Sequence, residues 1–264
     1  MTDPRPQSSG RGPERIAAAF ADSGKRAALM PYLMGGFPDM EASREIGLAY
    51  ADGGADLVEL GVPFSDPLAD GPVIQAAGTA ALKAGATTAA VLGVCETLAQ
   101  RLPVVVMCYA NLVLAHDDFP GRIAAAGAAG LIVPDLPLEE APPLLEACDA
   151  AGVALVPLVA PTTPDARLEA IGRRARGFIY TVSVTGTTGE RDALADTFAA
   201  TIERARSRTD VPVALGFGIA TPAHAAQAAA AGADGVIVGS RLVRAAAEGE
   251  DVRALVEGFA GALR

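Results

Sequence analysis

The feature that most constrains the fold is a repeat. Short apolar, β-branched runs recur eight times, each followed by Gly, Pro or Asp and then by an alanine-rich segment with helical periodicity. The runs fall at 28–34, 56–60, 104–108, 130–133, 154–159, 177–182, 213–217 and 235–238. Spread over 264 residues, eight runs give one unit per about 33 residues, roughly what a strand plus a covering helix requires. Within the runs, apolar residues sit at successive positions, as in parallel strands buried on both faces. Helices are predicted between them, with clear examples at 40–51, 138–150, 164–174, 193–206 and 223–231. Four helices run into glycine, at Gly53-Gly54, Gly130, Gly152 and Gly232, where a left-handed turn can end them.

Eight such units close most economically as an α/β fold, a single (β/α)8 TIM barrel over residues 14–264. A doubly wound open sheet usually has fewer strands, and its dinucleotide-binding form needs G-x-G-x-x-G after the first strand. Here that turn reads Met34-Gly35-Gly36-Phe37-Pro38. Residues 1–13 are polar and proline-bearing, with no apolar signal core, and are expected to form a disordered leader.

Composition narrows the partners. Against 21 Lys and Arg stand 31 Asp and Glu, a formal charge of −10 that repels phosphate backbones and anionic lipid, so neither nucleic acid nor a membrane surface is expected. Asp, Arg, Gly or Pro breaks every apolar run before the ~18 residues a span needs. Cys95, Cys108 and Cys148 are odd in number and lie in apolar surroundings, which suits buried thiols in a reduced, cytoplasmic protein.

In a barrel, chemistry belongs at the C-terminal ends of the strands. The last three ends carry Thr185-Gly186-Thr187-Thr188-Gly189, Gly216-Phe217-Gly218-Ile219 and Gly239-Ser240, a set of turns whose N–H groups can cradle a phosphate. Any one of these loops alone reads as ordinary turn glycine; three at the positions this fold uses favour the cradle. At the second strand, Glu59 lies between Val58 and Leu60, so alternation turns it inward, where loss of solvent raises its pKa and suits it to proton transfer. A structural glutamate in a buried ion pair is the competing reading. Asp66 and Asp70 follow in the same loop; a loop aspartate is commonly a turn former, but Asp70 precedes Gly71-Pro72, a helix start near the mouth.

Absences narrow the reaction. The only lysines, Lys25 and Lys83, are not at strand ends, so no Schiff base is expected; His116 and His224 have no metal-ligand spacing; Ser183 and Ser240 have no adjacent His. Acid–base chemistry on a small phosphate ester remains, carried by carboxylates and the strand-end tyrosines Tyr109 and Tyr180.

The segment Leu60-Gly61-Val62-Pro63-Phe64-Ser65-Asp66-Pro67-Leu68-Ala69-Asp70-Gly71-Pro72 closely resembles the signature of the tryptophan synthase alpha chain family. Similar motifs follow in order: Pro31-Tyr32, Gly36-Phe37-Pro38-Asp39, Tyr109-Ala110-Asn111, Pro134-Asp135-Leu136-Pro137, Gly216-Phe217-Gly218-Ile219 and Gly239-Ser240. The resemblance implies a lyase cleaving indole-3-glycerol phosphate to indole and glyceraldehyde 3-phosphate by a retro-aldol reaction, without metal or cofactor in this chain. It implies Glu59 as general acid/base, Asp70 as the carboxylate on the indole N–H, and Tyr180 beside the reacting carbon. Tyr32 falls on the indole pocket wall, Gly189, Gly218, Gly239 and Ser240 on the phosphate, and Thr188 on the closing loop.

The expected partner is a beta chain holding pyridoxal phosphate, in an alpha2-beta2 heterotetramer, with Pro63, Asp66 and Asn111 on the contact face. Val184 and Thr187 depart from the arginine and valine usual in this family's strand-six loop, which bears on loop closure and interchain signalling. The alternatives are a stand-alone indole-releasing lyase, a non-catalytic subunit that activates a beta chain, and a sugar-phosphate isomerase on the same barrel.

Overall fold

The structure, a computed structural model, describes residues 10–182, 191–216 and 218–264. In chain order its elements are α1 (Gly12–Ala21), β1 (Ala28–Met34), α2 (Met40–Asp52), β2 (Val58–Gly61), α3 (Pro72–Lys83), α4 (Thr88–Leu98), β3 (Val104–Met107), α5 (Ala110–Leu114), α6 (Phe119–Ala125), β4 (Gly130–Ile132), α7 (Ala141–Ala151), β5 (Ala154–Val156), β6 (Leu158–Val159), α8 (Asp165–Arg174), β7 (Ile179–Val182), α9 (Arg191–Arg206), β8 (Val213–Gly216), α10 (Pro222–Ala230), β9 (Gly235–Val238), α11 (Ser240–Glu248) and α12 (Val252–Ala262).

The strands are all parallel and follow the order β5-β4-β3-β2-β1-β9-β8-β7-β6. β5 and β6 are the two halves of the run 154–159, parted at Pro157, whose ring nitrogen has no hydrogen to give to a ladder. β5 pairs with β4 and β6 with β7, so the divided strand serves as one stave and the eight runs close into a TIM barrel. The Pro157 carbonyl still accepts from Tyr180 N–H at 3.0 Å.

Strand alternation sorts the side chains into two cores. Val58, Leu60, Val104, Val106, Leu131, Val213, Leu215 and Val236 point outward into the layer shared with the helices. Met30, Leu57, Val105, Ile132, Val156, Phe178, Ala214 and Ile237 fill the interior. That inner core is continued downward by α1: Ile16 is fully buried in it, and Phe20 lies 5.6 Å from Phe178, centroid to centroid. α1 begins at Gly12, inside the stretch expected to be leader, with Pro13 in its first turn, where a missing N–H costs nothing. Gly12 sits on the carbonyls of Ala129 and Gly152, and a Cβ there would collide with the backbone.

At the same lower end, Lys25 Nζ reaches both carboxylate oxygens of Asp56 at 2.8 Å and the Gly54 carbonyl at 2.9 Å, while Asp56 also accepts from Leu29 N–H. This buried pair ties β1 to the entry of β2, on the face that serves stability rather than chemistry. Helix ends differ from expectation at one glycine. Gly54, Gly152 and Gly232 adopt positive φ as expected, but Gly130 opens β4 and Gly127, φ +79°, takes the left-handed position after α6. The three cysteines are buried, and burial pushes each thiol up to about 12.

Candidate active site

The upper mouth of the barrel gathers most of the residues the sequence singled out. Glu59 sits on β2 in register with Tyr32 on β1 and Val105 on β3, and its side chain faces inward. It is 1% exposed, and among the described residues its Oε2 has no hydrogen-bond partner. The structural ion pair considered for Glu59 is thus absent there; the buried pair belongs to Asp56. Burial, and then the nearby charge of Asp70, push the Glu59 carboxyl up to about 8.

Asp70 lies half-buried in the loop between β2 and α3. Burial raises it to about 6, and the neighbouring Tyr109 hydroxyl pulls it partly back down. Tyr32 and Tyr180 are buried, and burial with the charges of Asp70 and Glu59 drives both phenols well above their ordinary value. Electrostatics therefore puts β1, β2, β7 and the β2–α3 loop around one space. Two glycines make room for the rings: a Cβ on Gly61 would strike the Tyr32 hydroxyl, and one on Gly216 the Tyr180 ring. The Tyr32 hydroxyl has only Met34 Sδ, at 4.0 Å, as a hydrogen-bond partner among the described residues.

At the end of β9, the stave paired with β1, Gly239 caps α11 and Ser240 is its first residue. The first N–H groups of a helix have no earlier turn to bond, so with the peptide dipoles they favour an anion. A Cβ on Gly239 would stand 3.8 Å from Tyr32 Cβ, which sets this helix start beside the Tyr32 wall. Gly218, exposed with φ +78°, shapes the loop after β8, and its carbonyl lies 3.2 Å from His224 Nδ1. His224 thus ties its own loop together, and His116 stacks on Phe119 with centroids 6.2 Å apart. No group of three or more His, Cys, Asp or Glu that could hold a metal occurs among the described residues. Thr188 and Gly189, with Val184, Thr187 and Phe217, lie outside the described residues.

Pro63 is buried just past β2, whereas Asp66 is exposed on the loop after β2 and Asn111 in α5, which follows the loop after β3. The two loops meet where Phe64 stacks on Tyr109, 5.2 Å between centroids. Leu68, 92% exposed on the loop after β2, and Leu114, 71% exposed at the end of α5, were not singled out from the sequence. Their position beside Asp66 and Asn111 was the available signal. Tyr109 was visible as a strand-end tyrosine, but its contact with a residue 39 positions earlier was not.

Residues 19–259 match the sequence profile of the family described as "Tryptophan synthase alpha chain". The chain belongs to that family. It is 47% identical over 243 residues to the tryptophan synthase alpha chain of Gloeobacter violaceus, covering 90% of this chain and 88% of that one. The Methanosarcina mazei alpha chain is 48% identical over 242 residues, with 91% and 89% covered. Among solved structures, a tryptophan synthase from M. tuberculosis in an aminoacrylate- and BRD0059-bound form superposes with a TM-score of 0.87 at 38% identity, covering 95% of this chain and 98% of that one. Tryptophan synthase subunit alpha from Legionella pneumophila gives 0.85 at 31% identity, covering 97% and 99%. The family's reaction is the lyase cleavage of indole-3-glycerol phosphate to indole and glyceraldehyde 3-phosphate, in tryptophan biosynthesis, and that is the activity of this tryptophan synthase alpha chain.

Proposed function

We propose that Glu59 and Asp70 divide this cleavage between them, with Tyr180 and Tyr32 walling the indole. At neutral pH a carboxyl near 8 is protonated and one near 6 is ionised, so two identical chemical groups hold opposite roles. Asp70 accepts the indole N–H and stabilises the positive charge that spreads to that nitrogen when C3 is protonated. Glu59 delivers that proton and becomes a carboxylate. It then takes the proton of the hydroxyl on the carbon attached to C3. The carbon–carbon bond breaks, its electron pair restores the aromatic ring, and the alkoxide carbon becomes the aldehyde of glyceraldehyde 3-phosphate. Glu59 ends as it began, protonated, and the cationic ring nitrogen takes the place of a Schiff base as electron sink.

The phosphate is held by Gly218, Gly239 and Ser240, with Gly189, through N–H groups and one hydroxyl. A beta chain carrying pyridoxal phosphate docks over the rim at Pro63, Asp66 and Asn111, in a heterotetramer. The exposed Leu68 and Leu114 beside them support such a covered face. The protein works in the cytoplasm, a reading supported by three buried free thiols.

The observation that carries the reading is the inward, buried Glu59, with one oxygen unpartnered among the described residues, sharing its electrostatic neighbourhood with Asp70. An indole-release assay on indole-3-glycerol phosphate, with and without a beta chain, tests it. Indole formed by the isolated chain and accelerated by the beta chain is expected; release of indole only in the beta chain's presence, unaffected by Glu59→Gln, would sink the assignment.

A further inference from the structure

Loop residues 64–70 carry Asp70 but are short of anchors. Among the described residues, their other hydrogen bonds stay inside the loop, as Leu68 N–H to Asp66 O and Asp70 N–H to Pro67 O, or come from Gln75 just beyond it. The exception is Ala69 N–H, which donates to the Tyr109 hydroxyl at 3.0 Å. Phe64, at the start of the same loop, stacks on the Tyr109 ring with 26° between planes. The tyrosine is itself fixed: it caps α5, where Leu112 and Val113 N–H bond its carbonyl and Ala110 N–H bonds Asp135.

A phenol has one proton to give and an oxygen that accepts. We propose that Tyr109 is a positioning residue, whose hydroxyl accepts from the backbone just before Asp70 and donates to the Asp70 carboxylate, holding it in one orientation and in its charged form. This rests on the role given above to Asp70. With Ala69 N–H already on its oxygen, the hydroxyl keeps one proton to give, and the side chain of the very next residue, Asp70, is the acidic group it stands beside. Among the described residues, the remaining titratable groups facing Asp70 are Glu59 on β2, Tyr32 on β1 and Tyr180 on β7; Asp135 faces Tyr109 from the loop after β4. None of these can donate to Asp70 and hold its backbone at once.

The test is Tyr109→Phe, which keeps the ring and its stack on Phe64 and removes one oxygen. Asp70 is followed by carboxyl-13C NMR titration, assigned by difference from Asp70→Asn, and the pH profile of kcat/KM for indole release is recorded beside it. Losing a hydrogen bond to a charged group should raise the Asp70 pKa by about one unit. The acid limb should move up with it, so that activity falls about fivefold at pH 6 and about tenfold well below it while the alkaline limb stays. Phe64→Leu, which loosens the loop without touching the hydroxyl, should leave the Asp70 pKa in place. Should Tyr109→Phe fail to fold, 3-fluorotyrosine at position 109 serves instead, and its stronger donor should lower the Asp70 pKa. An Asp70 pKa indifferent to the hydroxyl, or equally displaced by Phe64→Leu, would overturn the proposal. Because the titration is read without substrate, an inactive wild type would refute the catalytic reading and leave the titration to decide on Tyr109.

Discussion

Glu59 is the residue at which function and stability pull apart. Its carboxyl is held near 8 in the folded chain against an ordinary 4.5, so below about 4.5 it is neutral in both states and costs nothing. As pH rises from there through about 8, the unfolded chain ionises freely while the buried group resists, and stability is lost by an amount on the order of a few kcal/mol. Glu59→Gln should therefore melt higher than the wild type at pH 8, with the gap closing near pH 4.5. The same substitution keeps the shape but has no proton to transfer, so kcat should fall by about 10² to 10⁴ with KM nearly unchanged. A proportionate loss in KM would show Glu59 to be a binding group instead. For the wild type, the reaction needs Asp70 charged and Glu59 protonated. The profile of kcat/KM should rise through about 6 and fall through about 8, the two limbs belonging to the coupled pair. A flat profile between 5 and 9 would disprove the division of roles.

Elements set the spaces between such residues, and glycines in the strands show how. Gly61 ends β2 directly under the Tyr32 hydroxyl. Gly61→Ala should push the ring into the indole pocket, costing about 1–3 kcal/mol of stability from overpacking and raising KM more than it lowers kcat. An unaltered KM would mean that the ring can move aside. Elements also show what the sequence could and could not tell. Alternation placed Glu59 inward because its neighbours Val58 and Leu60 had to meet the helices, and that needed no tertiary knowledge. The run 154–159 looked continuous, yet Pro157 divides it, a signal present in the sequence and outweighed by the apolar residues around it. Gly130 was read as a helix end because it follows Ala128-Ala129, but its lack of a side chain is used in the barrel interior, where Ile16 and Val105 press against it. Gly12–Ala21 hid at the edge of a polar leader, since its start carries a proline and a single buried isoleucine marks its inner face. The approach of Tyr109 to Asp70 was illegible for a different reason: periodicity assigns residues to faces, and says nothing of which loops touch across a rim.

At the scale of the whole molecule, stability and chemistry sit at opposite poles. The Lys25–Asp56 pair lies at the lower end, away from the described candidate site residues, and removing Lys25 leaves the buried Asp56 carboxylate without its opposite charge. Lys25→Met should lower stability by about 3–5 kcal/mol in denaturant titration while folded enzyme retains its turnover. A fall in kcat at full folding would show that the lower pole communicates with the mouth. The repeat that defined the barrel was fully legible, because eight β-branched runs covered by alanine-rich helices have few other ways to close. α1 then acts as a stopper: with Ile16 and Phe20 seated in the staves, the cylinder has a floor at its lower end. Whatever forms beside Glu59 finds that floor closed and the upper mouth as its threshold. A companion seated over that threshold would therefore govern the traffic of a small, oily product simply by where it stands.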